Sequence, residues 1–205
     1  DELLAQAPNL MKLKFTGGEP TLLEGFKEFI ERLSQTEYAK NIKVMIVTNG
    51  TTDLTKWIDT FSKFRLFEIN WSTDGVGSAF EYIRWPGKWK KTREIQTKFN
   101  RTVREKGYTN IESTLTSAIQ LLNLDQLPSL LDYCRQADFD SFSPVLVMWP
   151  EPLQLGIAPH HVKQQVIDKC KPYINDQLFS EVASFIKLIE TSKSHLTWQD
   201  TKKFL

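Results

Sequence analysis

Short runs of alternating apolar and polar residues take turns with longer amphipathic segments along almost the whole chain. Period-two runs predict half-buried strands, whereas apolar residues three and four positions apart predict helices with one buried face. The predicted strands are 10–16, 42–48, 66–72, 111–116 and 141–148. The predicted helices are 22–35, 53–64, 89–106, 127–137, 161–170 and 179–190. Such alternation predicts βαβ units and a parallel sheet with right-handed crossovers.

No linker, sequence repeat or low-complexity segment divides the chain, so we predict a single domain over residues 1–205. Its core is expected at about 10–171, with C-terminal helices at 172–205. The 26 basic and 25 acidic residues give a net charge of +1, which argues against nucleic acid or a membrane surface as partner. No apolar run approaches the roughly 18 residues of a membrane span. We therefore expect a cytoplasmic protein.

Polar residues and glycines follow the predicted strands at the points where they end. Gly17, Gly18 and Glu19 follow the first strand, Thr48-Asn49-Gly50 ends the second, and Ser72-Thr73-Asp74-Gly75 ends the third. The carboxyl ends of parallel strands meet at one edge of a sheet, where α/β proteins bind their ligands. The pattern therefore predicts a binding site rather than a solvated edge.

The turn after the first strand is the most informative of these ends. Gly17 and Gly18 tolerate backbone angles that other residues disfavour and let backbone groups approach a ligand. Pro20 suits the first turn of a following helix, which leaves Glu19 as an anionic acceptor for a cationic ligand group. The alternative is a simple strand-to-helix turn in which Glu19 lies at a helix N-terminus.

Four motifs together resemble radical S-adenosylmethionine (SAM) enzymes, and in particular the subgroup of twitch-domain-containing radical SAM proteins. In chain order they are Gly17-Gly18-Glu19-Pro20, Thr48-Asn49-Gly50, Ser72-Thr73-Asp74-Gly75, and Phe80-Glu81-Tyr82-Ile83-Arg84-Trp85-Pro86 with Trp89. The resemblance covers about residues 12–171. It implies an α/β fold: a partial (β/α)6 TIM-like barrel of parallel strands, truncated at the N-terminus.

The resemblance also implies roles for individual residues. Gly17, Gly18 and Glu19 would bind the methionyl ammonium of SAM, Ser72 the ribose or carboxylate, and Arg84 the carboxylate. Further cofactor contacts are expected at Asn49, Thr114 and Thr116, and Val147 and Met148 would flank the adenine. The substrate is left open by the resemblance.

The family's 4Fe–4S cluster is held by three cysteines in a CxxxCxxC loop, which this chain lacks. Its cysteines, Cys134 and Cys170, both fall in predicted helices and are interpreted as buried apolar residues. Because the chain opens at Asp1, close to a strand, we interpret it as a piece of a longer radical SAM enzyme. We expect no catalytic or metal-binding residue in this piece, which would be inactive by itself.

Other interpretations stay open at this point. The chain could be a non-catalytic binding or interaction module on a degenerate α/β barrel. An unrelated nucleotide-binding domain is a weaker alternative, because the sequence contains neither a GxGxxG motif nor a P-loop. Asp74 could cap a turn, Arg84 could stack on aromatic rings, and Trp57, Trp71 and Trp149 are interpreted as core residues. If the strand that precedes 10–16 in the complete fold is missing from this piece, strand 10–16 becomes an edge with unpaired backbone groups. We therefore expect a homodimer through this edge or a terminal segment that covers it.

Overall fold

Five parallel strands form one open sheet in this computed structural model, which describes residues 2–203. The strands are β1 (Lys12–Phe15), β2 (Lys43–Thr48), β3 (Leu66–Ser72), β4 (Ile111–Ile119) and β5 (Ser141–Leu146). They are hydrogen-bonded in the order β1-β2-β3-β4-β5. Phe15 pairs with Ile46, and Thr48 pairs with Trp71, so the first three strands end near one another. The predicted α/β fold with parallel strands is confirmed.

Nine α-helices are assigned within the described residues, together with several short 3-10 turns. They are α1 (Glu2–Ala5), α2 (Glu24–Ser34), α3 (Ile58–Phe61), α4 (Gly77–Ile83), α5 (Trp89–Lys106), α6 (Leu127–Gln136), α7 (His160–Cys170), α8 (Val182–Thr191) and α9 (Trp198–Thr201). None of these helices is both long enough and apolar enough to cross a membrane.

The predicted helix 53–64 is wrong in its first half. The backbone N–H of Thr55 donates to Asp53 Oδ1 at 2.9 Å, which closes a local turn instead of capping an α-helix. A 3-10 turn follows over Thr55–Trp57, and α3 begins only at Ile58. Helix α4, which includes much of the Phe80-to-Pro86 motif, had no predicted counterpart because it is a short helix that starts at a glycine.

The chain divides into two compact units. Unit 1 comprises the described residues up to Ser72, together with Lys90–Thr114 and Ala137–Asp140. Unit 2 comprises Thr73–Trp89, Leu115–Gln136 and the described residues from Ser141 onward. The single-domain organisation stays a prediction.

Unit 1 has a core of alternate strand residues and amphipathic helix faces. Ile46, Ile69 and Trp71 are completely buried, in keeping with the period-two pattern of β2 and β3. The ring of Trp71 lies 5.5 Å from that of Phe99 on α5, and its indole N–H donates to Ser113 Oγ at 2.8 Å. Each such large apolar side chain contributes about 1.5–3 kcal/mol by burial.

Unit 2 has an aromatic core of its own. The ring of Trp89 lies 5.4 Å from Phe80 and 4.8 Å from Tyr133. Trp149, however, is 77% exposed, so its interpretation as a core residue is wrong. It lies beyond the end of β5, where no strand or helix places its side chain against the core.

Candidate functional site

Two consecutive glycines shape the turn that follows β1. Gly17 has a φ of 85° and Gly18 a φ of 53°, both in the left-handed region that glycine adopts readily. Apart from the neighbouring residues in the chain, a Cβ added at either position would meet no atom of the described residues within 4 Å. The glycines are therefore required by the backbone conformation, and the turn leaves open space beside them.

The carboxylate of Glu19 joins this turn to the end of β2. Its Oε1 accepts hydrogen bonds from Thr48 Oγ1 at 2.8 Å, from Thr21 Oγ1 at 2.6 Å and from the Thr21 backbone N–H at 3.2 Å. Its Oε2 accepts the backbone N–H of Asn49 at 2.6 Å. Thr21 is completely buried and Thr48 is 2% exposed, so these donors are fixed in the interior of unit 1.

Glu19 thus does more than cap a turn. The bond from Thr21 N–H makes it the N-cap of the 3-10 turn Pro20–Leu22, which fulfils the simpler interpretation. The bonds from Thr48 and Asn49 connect it to a second strand, which a local cap does not require. A carboxylate has about four lone-pair positions. Because Oε2 accepts a single bond among the described residues, it retains capacity for a further cationic donor.

Of the other predicted residues of unit 1, Asn49 and Ser72 lie at the ends of β2 and β3, whereas Thr114 lies in the middle of β4. Asn49 contacts Glu19 through its backbone, while its side-chain Oδ1 accepts from the Thr51 N–H at 2.9 Å and the Thr51 hydroxyl at 2.7 Å. Ser72 ends β3 directly after Trp71, the residue paired with Thr48. Thr114 is half-buried on β4. Their contacts with a cofactor stay predictions.

Arg84, the predicted carboxylate-binding residue, lies in unit 2 beside Asp74. Its Nε donates to Asp74 Oδ2 at 2.7 Å, and the N–H of Ala118 on β4 donates to Asp74 Oδ1 at 2.7 Å. Asp74 therefore does not cap its own turn, and no aromatic ring is found against the Arg84 guanidinium among residues 2–203. Thr116, also predicted, accepts the Thr73 N–H through its carbonyl at 2.8 Å.

Val147 and Met148 line a small cavity in unit 2. The cavity has a volume of about 190 Å³, and Leu155 and Leu188 are among its apolar walls. The Gln154 amide donates to the Met148 carbonyl at 2.9 Å across this region. The predicted place of these residues beside adenine is untested by this geometry and stays a prediction.

Sequence reasoning missed a charged group on the less buried face of the sheet in unit 1. Lys43 Nζ lies 2.5 Å from Glu68 Oε1, while Glu68 Oε2 is buried and has no hydrogen-bond partner within residues 2–203. Burial raises the pKa of the Glu112 carboxyl, and the charges of Glu68 and Asp140 raise it further, whereas Lys43 opposes the shift. The alternation of apolar and polar residues in the two strands could have revealed this group, because it places residues 43 and 68 on the same face of the sheet.

A buried lysine in unit 2 was missed as well. The Lys163 ammonium donates to the Ser192 carbonyl at 2.9 Å, to the Ser192 hydroxyl at 3.0 Å and to the Gly156 carbonyl at 3.4 Å. Burial lowers its pKa, because all three acceptors are neutral. No sequence motif distinguished this lysine from the exposed ones.

The cysteines do not fit an iron–sulfur cluster. The side chains of Cys134 and Cys170 are completely buried, as the sequence predicted. Burial raises the pKa of the Cys170 thiol to about 12, which disfavours the thiolate that a metal needs. Across residues 2–203, no three His, Cys, Asp or Glu side chains group as metal ligands. No step through a cluster can therefore be assigned to residues of this part of the chain.

An α/β protein with a glycine-rich turn and a fixed carboxylate at its parallel strand ends is the class that the fold and this geometry define. The sequence profile of the radical SAM superfamily matches residues 2–134, and the chain belongs to that superfamily. A search among curated proteins found no match.

Solved structures of radical SAM proteins share the fold. SuiB of Streptococcus suis bound to S-adenosylmethionine superposes with a TM-score of 0.59 at 17% identity, covering 85% of this chain and 38% of SuiB. The protein anSMEcpe with bound AdoMet gives 0.61 at 17% identity, over 95% of this chain and 56% of that one. The methyltransferase TsrM of Kitasatospora setae, solved with cobalamin and a [4Fe-4S] cluster, gives 0.54 at 15% identity, over 80% and 30%. The chain thus spans between 30% and 56% of the length of these proteins.

Proposed function

We propose that this chain is the SAM-binding part of a radical SAM enzyme and that Glu19, with the backbone of Gly17 and Gly18, binds the methionyl ammonium. The observation that carries the proposal is the Glu19 carboxylate, which four donors from the turn and from the end of β2 hold in place. These hydrogen bonds orient the carboxylate before a cationic ligand binds.

The chemistry of an ammonium matches this arrangement. An ammonium has three donors and no acceptor, so it is satisfied by a carboxylate together with carbonyl oxygens. Glu19 Oε2, which accepts one bond at 2.6 Å, would take one of these donors. Carbonyls of the open turn at Gly17 and Gly18 would take the others, and charge assistance makes such bonds about twice as strong as neutral ones.

In the complete protein we propose the family's reaction. One electron from a reduced 4Fe–4S cluster would cleave SAM into methionine and a 5′-deoxyadenosyl radical, which takes a hydrogen atom from the substrate. The ligands of that cluster are not among the residues described here, so the chain's own residues are assigned to binding and orientation. The cofactor carries the difficult chemistry, and the protein positions it.

The finer assignments belong to the same proposal. Membership of the twitch-domain subgroup is supported by the order of the four motifs along the chain. Asn49, Ser72, Thr114 and Thr116 are proposed as further cofactor contacts, and Arg84 as the carboxylate contact. A cytoplasmic location and a homodimer through the edge of β1 likewise stay predictions.

A non-catalytic module on the same fold is the second candidate. It is favoured by the engagement of Glu19 within unit 1, since a carboxylate that caps a turn and joins two strands has a structural reason to be present. The two candidates differ in one respect: only the first requires that SAM bind through Glu19.

Equilibrium dialysis with labelled SAM tests the proposal on the complete protein. We expect binding by the wild type, a loss of roughly tenfold or more for Glu19→Ala, and no change for Glu28→Ala, an exposed control. Reconstitution with iron and sulfide under anaerobic conditions, followed by reduction, should yield 5′-deoxyadenosine. A cluster-loaded protein that binds no SAM and forms none of this product would favour the non-catalytic module.

A further inference from the structure

A partly buried ion pair joins Asp74, two residues after the end of β3, to Arg84. The Arg84 Nε and Asp74 Oδ2 are 2.7 Å apart, and the two side chains are 30% and 9% exposed. The resemblance assigned a ligand to Arg84 but no role to Asp74. Both residues lie in unit 2, so their geometry can be considered by itself.

Asp74 is held through both its side chain and its backbone carbonyl. Its Oδ1 accepts the N–H of Ala118 at 2.7 Å, and its own carbonyl accepts Asn123 Nδ2 at 2.8 Å. Asn123 is completely buried and also donates to the Ala118 carbonyl at 2.9 Å. The carboxylate cannot turn away without breaking its hydrogen bond from the Ala118 N–H, so the position of the oxygen that accepts from Arg84 Nε is restrained.

The guanidinium is bound along one edge only. Arg84 has five N–H donors in a planar fork, and Asp74 uses the one on Nε. Within residues 2–203, neither Nη1 nor Nη2 has an acceptor. The edge formed by these two groups is the one that binds a carboxylate with two parallel hydrogen bonds. A lysine would offer no such edge to orient.

We propose that Asp74 is a positioning residue for carboxylate recognition. It orients Arg84 so that the Nη1 and Nη2 edge receives the α-carboxylate of the methionyl part of SAM. The proposal rests on SAM being the ligand, as proposed above, and adds a residue that acts through Arg84 without touching the ligand.

The test compares SAM with decarboxylated SAM, which keeps the ammonium and the sulfonium but has no carboxylate. In equilibrium titrations of the complete protein, Asp74→Asn should weaken SAM binding roughly tenfold or more, because an oriented charge-assisted contact is lost. Binding of decarboxylated SAM should change by less than about twofold. A variant that merely loosened the fold would weaken both ligands alike.

A second variant makes the test independent of the folding of the first. Arg84→Lys keeps the charge, and we expect it to lose most of the preference for SAM over decarboxylated SAM. In the Arg84→Lys background, Asp74→Asn should add no further loss, since the two residues act as a unit. Should Asp74→Asn not fold, Asp74→Glu, which displaces the carboxylate, takes its place in the same comparison.

The outcomes separate the inference from the proposed function. Equal weakening of both ligands by the Asp74 variant, or unchanged SAM binding, overturns the positioning role while SAM binding itself stands. A wild-type protein that binds neither ligand overturns the proposed function and the inference with it.

Discussion

Replacement of Glu19 by glutamine is the perturbation that the geometry of unit 1 makes most informative. Glutamine keeps the shape of the side chain but replaces one oxygen with an NH2 group. If that group takes the Oε2 position, it faces the Asn49 N–H, whose bond is 2.6 Å long. If it takes the Oε1 position, it faces the Thr21 N–H at 3.2 Å, although the two hydroxyls there could rotate to accept. In either orientation the NH2 group of the glutamine faces a backbone N–H, so two donors oppose each other.

The expected magnitude follows from the bonds that change. Hydrogen bonds to a charged group are worth about 1.5–3 kcal/mol, against about 0.5–1.5 kcal/mol for neutral ones. Four bonds lose their charge assistance and at least one backbone N–H loses its acceptor, while the glutamine side chain relaxes to recover part of the loss. We therefore expect Glu19→Gln to lower the free energy of unfolding by about 2–4 kcal/mol.

Urea unfolding followed by circular dichroism measures this change. Glu28→Gln is the matched control, because Glu28 is 66% exposed and pairs with Arg32 at 3.5 Å within one helix. Its effect should stay within about 0.5 kcal/mol. Equal unfolding free energies for Glu19→Gln and the wild type would refute the view that buried donors fix this carboxylate.

Two further predictions concern glycine conformation and pH. Both glycines have a positive φ, but an added Cβ meets a side-chain atom at 3.2 Å at Gly50 and no atom of the described residues within 4 Å at Gly107. In thermal unfolding, Gly50→Ala should therefore lower the free energy of unfolding by about 2–3 kcal/mol and Gly107→Ala by about 1 kcal/mol. Equal losses for the two variants would contradict this. Burial alone would raise the pKa of Asp53, but hydrogen bonds from Lys98 and Thr55 outweigh it and lower the pKa from 3.8 to about 2. The resulting stability is present above pH 3.8 and is lost as the pH falls towards 2. This contribution to the free energy of unfolding should be only about 0.2–1 kcal/mol, because the Asp53–Lys98 pair is exposed. If the unfolding free energies of Asp53→Asn and the wild type changed in parallel as the pH fell from 3.8 towards 2, the prediction would be wrong.

The sequence predicted the elements best where periodicity was strong and both ends were marked. Predicted segments 66–72 and 89–106 coincide with β3 and α5, because the first alternates throughout and the second ends at Gly107. Strand β4 runs on to Ile119, beyond the predicted end at 116. Small and polar residues continue its alternation there, and they carry too little apolar signal to extend a prediction.

The candidate site was predictable in its residues but not in its bonds. The glycine pair and the polar strand ends indicated the candidate site, and parallel pairing of β1 with β2 places Glu19 within reach of Asn49. The contact of Asp74 with Ala118 depends on the register of strand ends 44 residues apart in sequence, which no local pattern encodes. The exposure of Trp149 likewise depends on where β5 ends.

The central claim is that Glu19 recognises the ammonium of SAM, and a titration of the complete protein with two ligands tests it most directly. The ligands are SAM and its desamino analogue, in which hydrogen replaces the amino group. We predict that the wild type prefers SAM by roughly tenfold or more and that Glu19→Ala abolishes this preference. Equal affinity of the wild type for both ligands would contradict the account.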